Sequence, residues 1–540
     1  MTVYVSKVDV GSDEFRRNRD DMLNLVAHMR SLEERAVERS SQRAARFEER
    51  GQLLPRERLN RLLDPGMPFL ELYNMANYLM EDSDPDTSIP GASMIVGIGF
   101  VSGVRCMVWV DDSGIRAGAV TKGSLPKALG ALAVAQRFNL PVIHCVESAG
   151  ANLMQYKVEG WVQFGAVFYR LAQLSASGIP CISVLHGPST AGGAYMPGMS
   201  DYVVGVKDNG MAALAGAALV KAATGEVADE QELGGAKMHA EITGVVEYLA
   251  EDDNHGIAQA RRIVDDLGWN THCPPVPQFE YTEPKYSVDE IAGAVPVDHK
   301  KAYDAREVIA RLVDGSDFEE FKSRYGVSTL CVTAKIYGHS VAIIANNGPI
   351  DPQGATKAGH FIQLCDQAQR PIIFLSNVTG YMVGTEYEQA GMIKHGSKMI
   401  QAVANARVPR ITLYVGASFG AGNYGMCGQA YEPDFLFAWP NATTGVMGGE
   451  QAAQTMSQVM RISAKRRGQE IDEAAMQAQE EHITQHFDNQ SSSFYTSGRV
   501  LDQGIIDPRD SRRVLGFALE TIWESNHRTT QSNSFGVSRF

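Results

Sequence analysis

The chain contains the same segment twice, and that repeat limits its possible folds more than any single motif does. The stretch from Lys127, KALGALAVAQRFNLPVIHCVESAG, lies against the stretch from Lys357, KAGHFIQLCDQAQRPIIFLSNVTG. Lysine and proline keep one spacing, since Lys127 to Lys357 and Pro141 to Pro371 are each 230 positions. Further on, GIPCISVLHGPSTAGGAY faces RVPRITLYVGASFGAGNY, with Pro180 to Pro409 and Gly193 to Gly422 each 229 positions. One register with a single-residue slip therefore holds through both anchors, whereas a lone glycine pair would prove nothing.

Each copy reads as helix, proline, apolar strand, glycine turn, then helix, proline, apolar strand and glycine turn again. The strands are continuous apolar runs, not alternating ones, which is the pattern of parallel strands covered by helices. The expected fold is α/β, a duplicated domain. A proline-rich stretch, THCPPVPQFEYTEPKYS (Thr271 to Ser287), divides the chain almost in half. The expected organisation is an N-terminal helical segment (1–60), a first α/β domain (61–270), the linker (271–287) and a second α/β domain (288–540).

Within the helical segment, Asp13 to Gly51 is charge-rich, free of proline and punctuated by Met22, Leu23, Leu25, Val26, Met29 and Leu32. That spacing predicts a long amphipathic helix or a helical pair ending at the glycine, either packed on its own domain or reaching another subunit. At 540 residues and 44% hydrophobic, the chain can bury large cores.

The net charge of −14 argues against nucleic-acid binding, which needs a basic face. No apolar run approaches the ~18 residues of a membrane span. The N-terminus MTVYVSKVDVGSDEF lacks the apolar core of a signal peptide and carries acids that a transit peptide would avoid, so the cytoplasm is expected. The seven cysteines are spread without a CxxC pair and read as reduced, buried small side chains, not a zinc site or disulfide framework, and no metal is expected.

Chemistry has to be sought at the glycine turns. GPSTAGGAYMPGMSD (Gly187 to Asp201) has no serine elbow, metal ligands or phosphate fingerprint. It follows the apolar strand CISVLHG, and open α/β folds place ligands at strand carboxyl ends. Gly192 and Gly193 allow close backbone approach, and bare amides at a helix start suit a developing oxyanion. Each such donor is worth ~3 kcal/mol of transition-state stabilisation. Taken alone, an empty tight turn remains the alternative. The second copy offers Gly420, Ala421 and Gly422 at the equivalent place, and two such sites imply two substrates that each pass through an enolate.

From GQLLPRERLNRLLDPGMPFLEL through GYMVGTEYEQAGMIKHGSKM to WPNATTGVMGGEQAA and the final FGV, the chain resembles the carboxyltransferase (β) subunit of biotin-dependent acyl-CoA carboxylases over essentially its whole length. The resemblance implies two crotonase-like domains. It implies amides around Gly192 and Gly193 for the thioester enolate, and amides around Ala421 and Gly422 for the ureido oxygen of biotin, with no side-chain acid or base. Ala149, Gly150, Ala151, Phe168, Tyr169 and Gly216 would border the acyl-CoA, with Gly380, Tyr381, Phe419 and Gly420 on the biotin side. SNVTGYMVG, FGAGNYGMCG and VMGGEQAA resemble the methylcrotonyl-CoA and geranyl-CoA branch, which carboxylates the γ carbon of β-branched unsaturated thioesters. Bulk at Phe168 and Tyr169 favours a short acyl group. The chain departs from the methylcrotonyl pattern at Ala149, Ala217 and Ala218.

Arg56, Arg58, Lys122, Lys127 and Lys221 are candidates for the CoA phosphates, or else ordinary surface charges. His395 reads as a structural or capping residue, Glu147 as a strand-end contact and Asp201 as a helix-turn carboxylate. GGAKMHAEI matches a biotin-attachment tripeptide only at Lys237 and Met238, and no ATP-binding glycine loop is present, so biotin and the ATP-dependent step are expected on a biotin carboxylase/carrier α subunit. The family pattern implies a β6 core within an α6β6 complex. Three alternatives stay open: a propionyl-type or long-chain carboxyltransferase, a crotonase-type hydratase or isomerase, and a non-catalytic assembly paralogue.

Overall fold

The computed structural model describes residues 2–150, 157–468 and 472–538, so Ala151 lies outside the described residues. Two compact units carry one sheet each. In chain order the strands are β1 (Thr2–Val3), β2 (Leu70–Leu72), β3 (Met94–Val101), β4 (Val104–Asp111), β5 (Val142–Ser148), β6 (Cys181–Thr190), β7 (Tyr202–Val206), β8 (Met211–Ala213), β9 (Tyr248–Ala250), β10 (Asp317–Glu320), β11 (Thr329–Ile336), β12 (His339–Asn346), β13 (Ile372–Val378), β14 (Arg410–Phe419), β15 (Phe435–Ala438) and β16 (Thr443–Gly445).

The first unit comprises Arg30–Pro277, Gly498–Val500 and Glu520–Phe540. Its sheet runs β2-β3-β4-β5-β6-β7-β9, with β8 paired beside the end of β6. The second unit comprises Met1–Met29, Gln278–Ser497 and Leu501–Leu519. Its sheet runs β1-β10-β11-β12-β13-β14-β15, with β16 beside the end of β14. The order β2-β3-β4-β5-β6-β7 thus recurs as β10-β11-β12-β13-β14-β15, with β8 matched by β16, while β9 and β1 are extra edge strands of their own sheets. Val142 faces Cys181 and Ile372 faces Arg410, the register that the repeat requires.

The repeat's strands pair in parallel as expected, and the sheets are mixed because further strands at one side of each are antiparallel. β4 to β9 and β12 to β16 pair in parallel, but β2-β3-β4 and β1-β10-β11-β12 are antiparallel. The reason is local: β3 and β4 are joined across Ser102 and Gly103, both at positive φ, too short a link for a crossover.

Apolar strand residues such as Ile143, Ile182 and Val204 form the first core with Val264 and Trp269, and Ile344, Phe374, Met399 and Phe361 belong to the second. Even the repeat's lysines are interior. Lys127 and Lys357 are both fully buried on equivalent helices, Ser124–Arg137 and Pro352–Gln367.

Asp13–Ser41 is one helix that buries Met22, Val26, Met29 and Leu32 on one stripe, and Ala44–Glu49 follows it before Gly51. No helix or strand occurs between His272 and Val288. All seven cysteines are free thiols, six of them buried. Among the described residues no helix is long and apolar enough to cross a membrane.

Candidate functional site: two glycine turns at matching strand ends

β6 ends at Thr190 and is followed by a 3-10 turn, Ala191–Ala194, and one helical turn, Tyr195–Gly198. β14 ends at Phe419 and runs straight into the helix Gly420–Gly425. The expected helix start is therefore short on both sides, and a macrodipole contributes little; the amides themselves carry any anion affinity. The backbone repeats closely. Ala191 and Gly420, which are 229 positions apart, both have φ 55°, after Thr190 at φ −115° and Phe419 at φ −108°. For an alanine this left-handed conformation costs roughly 1 kcal/mol, strain of the kind that gathers at functional sites.

The glycines differ in what surrounds them. Among the described residues, a Cβ on Gly192 would meet only Phe164 and Phe168 ring atoms, at 3.9 and 4.0 Å, and one on Gly193 only Ser189 Oγ at 3.0 Å. A Cβ on the buried Gly422 would stand 3.0 Å from Gly380 Cα and 3.1 Å from both Val378 methyls. Gly420 approaches the Val446 carbonyl in the same sense, at 3.2 Å.

The neighbouring strands also end alike. β5 and β13 each slip register beside the turn strand, between Val146 and Ser148 and between Ser376 and Val378. At those slips Glu147 lies over Gly187 and Asn377 over Gly416, positions where a Cβ would collide with the overlying side chain. Gly150 (φ 77°) and Gly380 (φ 129°) follow, and their carbonyls accept from Val120 N and Ile350 N, both at 3.0 Å. The amides of Ala149 and Gly150 already donate to Ala117 O at 2.9 Å and Ser148 Oγ at 3.2 Å. Both backbone donors are thus taken up within the chain.

Of the expected acyl-side residues, the structure brings Phe168 to Gly192, with its ring edge-on to Phe164 and Tyr195, each at 5.6 Å. Tyr169 is 62% exposed and has no place in that cluster. Gly216 caps the helix Ala217–Thr224, which follows β8 and is held beside the turn by the Thr190–Ala213 register; Lys221 is exposed on it. Nothing in the structure explains the alanines at 217 and 218. On the other side Phe419 is buried at the strand end, and the Tyr381 hydroxyl donates to Gly396 O at 3.4 Å.

The cation candidates resolve unevenly. Arg56 is paired with Glu71 at 3.0 Å, Lys122 reaches Met80 O, and Lys127 donates to Gly91 O and Met94 O. Burial lowers Lys127 to about 8, and no phosphate could reach it. His395 bonds Thr356 Oγ1 at 2.7 Å, and Asp201 accepts from Ser175 Oγ and Cys181 N, both structural roles.

Arg58 belongs to a buried cluster that sequence reasoning missed. Its Nη1 donates to Glu147 Oε2 at 2.6 Å and its Nε to Asp253 Oδ2 at 3.0 Å, and all three side chains are buried. His186 Nδ1 meets Asp253 Oδ1 at 2.8 Å, and Gln52 donates to His186 O at 2.8 Å. Burial, then the Arg58 charge, holds His186 below its ordinary value, so it is neutral. Burial alone would raise Asp253, but His186 and Arg58 outweigh it and hold it at about 2. The available signal was a histidine and a glutamate inside apolar strands, VIHCVES and ISVLHG. Among the described residues no group of three or more His, Cys, Asp or Glu is arranged to hold a metal ion.

The family model for the carboxyl transferase domain matches residues 46–537. A probable biotin-dependent acyl-coenzyme A carboxylase beta2 subunit of Mycobacterium tuberculosis is 47% identical, with 92% of each chain covered. A probable mitochondrial methylcrotonoyl-CoA carboxylase beta chain of Drosophila melanogaster is 42% identical over 99% of this chain and 95% of its own. The crystal structure of the P. aeruginosa geranyl-CoA carboxylase beta subunit superposes with a TM-score of 0.93 at 47% identity, with all of both chains covered. With its duplicated crotonase-like α/β fold and its paired turns, the chain belongs to the carboxyl transferase domain family, among the β subunits of biotin-dependent acyl-CoA carboxylases.

Proposed function

We propose that this chain transfers a carboxyl group from biotin to the γ carbon of a short, β-branched, α,β-unsaturated acyl-CoA of the 3-methylcrotonyl type. The observation that carries it is the pair of turns with one backbone shape at matching strand ends. Amides around Gly192 and Gly193 hold the thioester oxygen as it gains enolate charge, in a setting preorganised by β5 and β6. Amides around Ala421 and Gly422 receive the ureido oxygen of biotin, where charge gathers as the carboxyl group leaves, and Gly422 packs tightly on Val378 and Gly380 behind the turn. Biotin, when bound, would supply the carboxyl group and, at the nitrogen that gives it up, take the proton that the γ carbon loses. The chain's own part is to place two oxygens and two reactants, which removes the need for a side-chain base.

The ring cluster of Phe164, Phe168 and Tyr195 narrows the space before Gly192 and supports a short acyl chain over a geranyl one. Lys221 and Arg56 are the cations we propose for the CoA phosphates, Arg56 through exchange of its Glu71 partner. Biotin and its ATP-dependent carboxylation reside on a partner α subunit, and the chain forms a homo-oligomeric core, proposed as β6. Exposed Met456, Val459 and Ile462 on one face of the helix Gly449–Arg467, with Trp161 and Val162 on Val158–Ala176, support self-association. The cytoplasm is the proposed compartment, consistent with seven free thiols.

The test is bicarbonate incorporation into a panel of acyl-CoAs (3-methylcrotonyl, geranyl, propionyl and long-chain), with and without a biotin-bearing partner and ATP. Partner-dependent carboxylation of 3-methylcrotonyl-CoA is expected. Preference for geranyl-CoA overturns the acyl assignment. Partner-independent hydration, or silence in an assembled complex, overturns the reaction.

A further inference from the structure

The two turns share a backbone but are held differently, and the difference centres on Asn423. Its Nδ2 turns back onto β14 and donates to Ser418 Oγ at 2.9 Å and Tyr414 Oη at 3.0 Å. Ser418 Oγ bonds Ser376 Oγ at 3.1 Å, which ties the turn to β13, and Tyr414 Oη accepts Gln429 N at 3.3 Å. Ser418, Ser376 and Tyr414 are buried, and Gly428 leaves room for the amide, because a Cβ there would collide with Asn423 Oδ1.

At the same register in the first unit stand Ala194 for Asn423, Ser189 for Ser418, Leu185 for Tyr414 and Val146 for Ser376. There the turn rests on a small apolar cluster of Val146, Leu185, Ala212 and Ala194, and the buried Ser189 Oγ has no partner among the described residues. At this register one turn is therefore tied by directional side-chain bonds and the other rests on apolar packing, its side-chain bonds lying further on, where Ser200 Oγ donates to Met196 O at 3.0 Å and bonds Ser183 Oγ of β6 at 2.5 Å. Directional bonds hold an angle, whereas packing in a shallow apolar cluster permits small shifts.

We propose that Asn423 is a positioning residue that sets the angle of the Ala421 and Gly422 amides through Ser418 and Tyr414. This rests on the reading that the Gly420–Gly425 turn serves biotin. Asn423 has no contact with substrate in this role; it acts through the turn.

The test uses the full chain assembled with its biotin-bearing partner and the acyl-CoA that the unaltered complex turns over. Asn423→Ala is compared with Tyr414→Phe, which deletes one hydroxyl, and with Ser189→Ala, the corresponding change in the other unit. Alanine already occupies position 194 of the same fold, so Asn423→Ala is a compatible substitution, and Tyr414→Phe gives a second probe of the same network. Asn423→Ala is expected to lower kcat, or raise KM for the biotin-bearing partner, by about 10- to 100-fold while KM for acyl-CoA stays within about twofold. Tyr414→Phe shifts the same parameter less, and Ser189→Ala shifts neither. A rise of both KM values together, or no change in kcat or in either KM, overturns the positioning role. A loss confined to acyl-CoA KM leaves Asn423 as a positioning residue and overturns the biotin assignment of the turn.

Discussion

At the scale of single residues, the glycines separate function from fit. A Cβ at Gly193 would meet only Ser189 Oγ among the described residues, so Gly193→Val should fold and assemble normally yet lose about 100-fold or more in kcat/KM for acyl-CoA carboxylation, measured beside its melting temperature. Gly422→Val pushes against Val378 and Gly380, and should also lose about 1–3 kcal/mol of stability by denaturant titration. Arginine substitutions divide in the same way. Arg58→Met strands Glu147 and Asp253 without their cation and should cost about 3–5 kcal/mol, whereas Arg56→Met, at a partly exposed pair, should cost no more than about 1 kcal/mol. The glycine pairs were legible because the repeat displayed them twice. Arg58 was not, because Arg56 and Arg58 look alike in LLPRERL and only the packing of their helix, Pro55–Leu62, turns one inward and the other to the rim.

At the scale of elements, β6 and the helix Asp253–Asp266 meet through His186 and Asp253, and that junction gives stability a pH dependence. His186 is held below its ordinary value in the fold, so below about pH 6.5 the unfolded chain binds a proton that the folded chain refuses. Stability from this residue is present above that pH and is lost as pH falls through it. Asp253 adds a loss in the same direction at lower pH, from the ordinary carboxylate range down to about 2. Melting temperatures of the unaltered chain should drop between pH 7 and pH 5, and His186→Gln should flatten the drop in that window. An unchanged slope would mean that His186 is charged in the fold. The strands themselves could be read from continuous apolar runs, as could the Asp13–Ser41 helix from its stripe. The antiparallel edges could not, since an apolar run has no direction and only the short link at Ser102 and Gly103 betrays the hairpin. The register slips of β5 and β13 were equally hidden, because a bulge changes pairing without changing composition.

At the scale of the whole molecule, the exposed apolar face of Gly449–Arg467 is the surface on which the proposed self-association can be tested. Val459→Asp combined with Ile462→Asp should yield a smaller species by sedimentation, with the circular dichroism spectrum unchanged; an unaltered sedimentation coefficient would place the subunit contact elsewhere. Duplication itself has a further consequence. Glu147 and Asn377 occupy the same bulge over the same glycine, but one is matched to an arginine and the other to the Ala417 amide at 3.1 Å. Asn423 needs the missing side chain of Gly428, where the other half has Met199. The halves are thus no longer interchangeable parts: a chimera built from two first halves would bury a second Glu147 with no arginine unless Arg58 travelled with it. Their shared backbone records a common origin, and their unshared supports show how far the two copies have since grown apart.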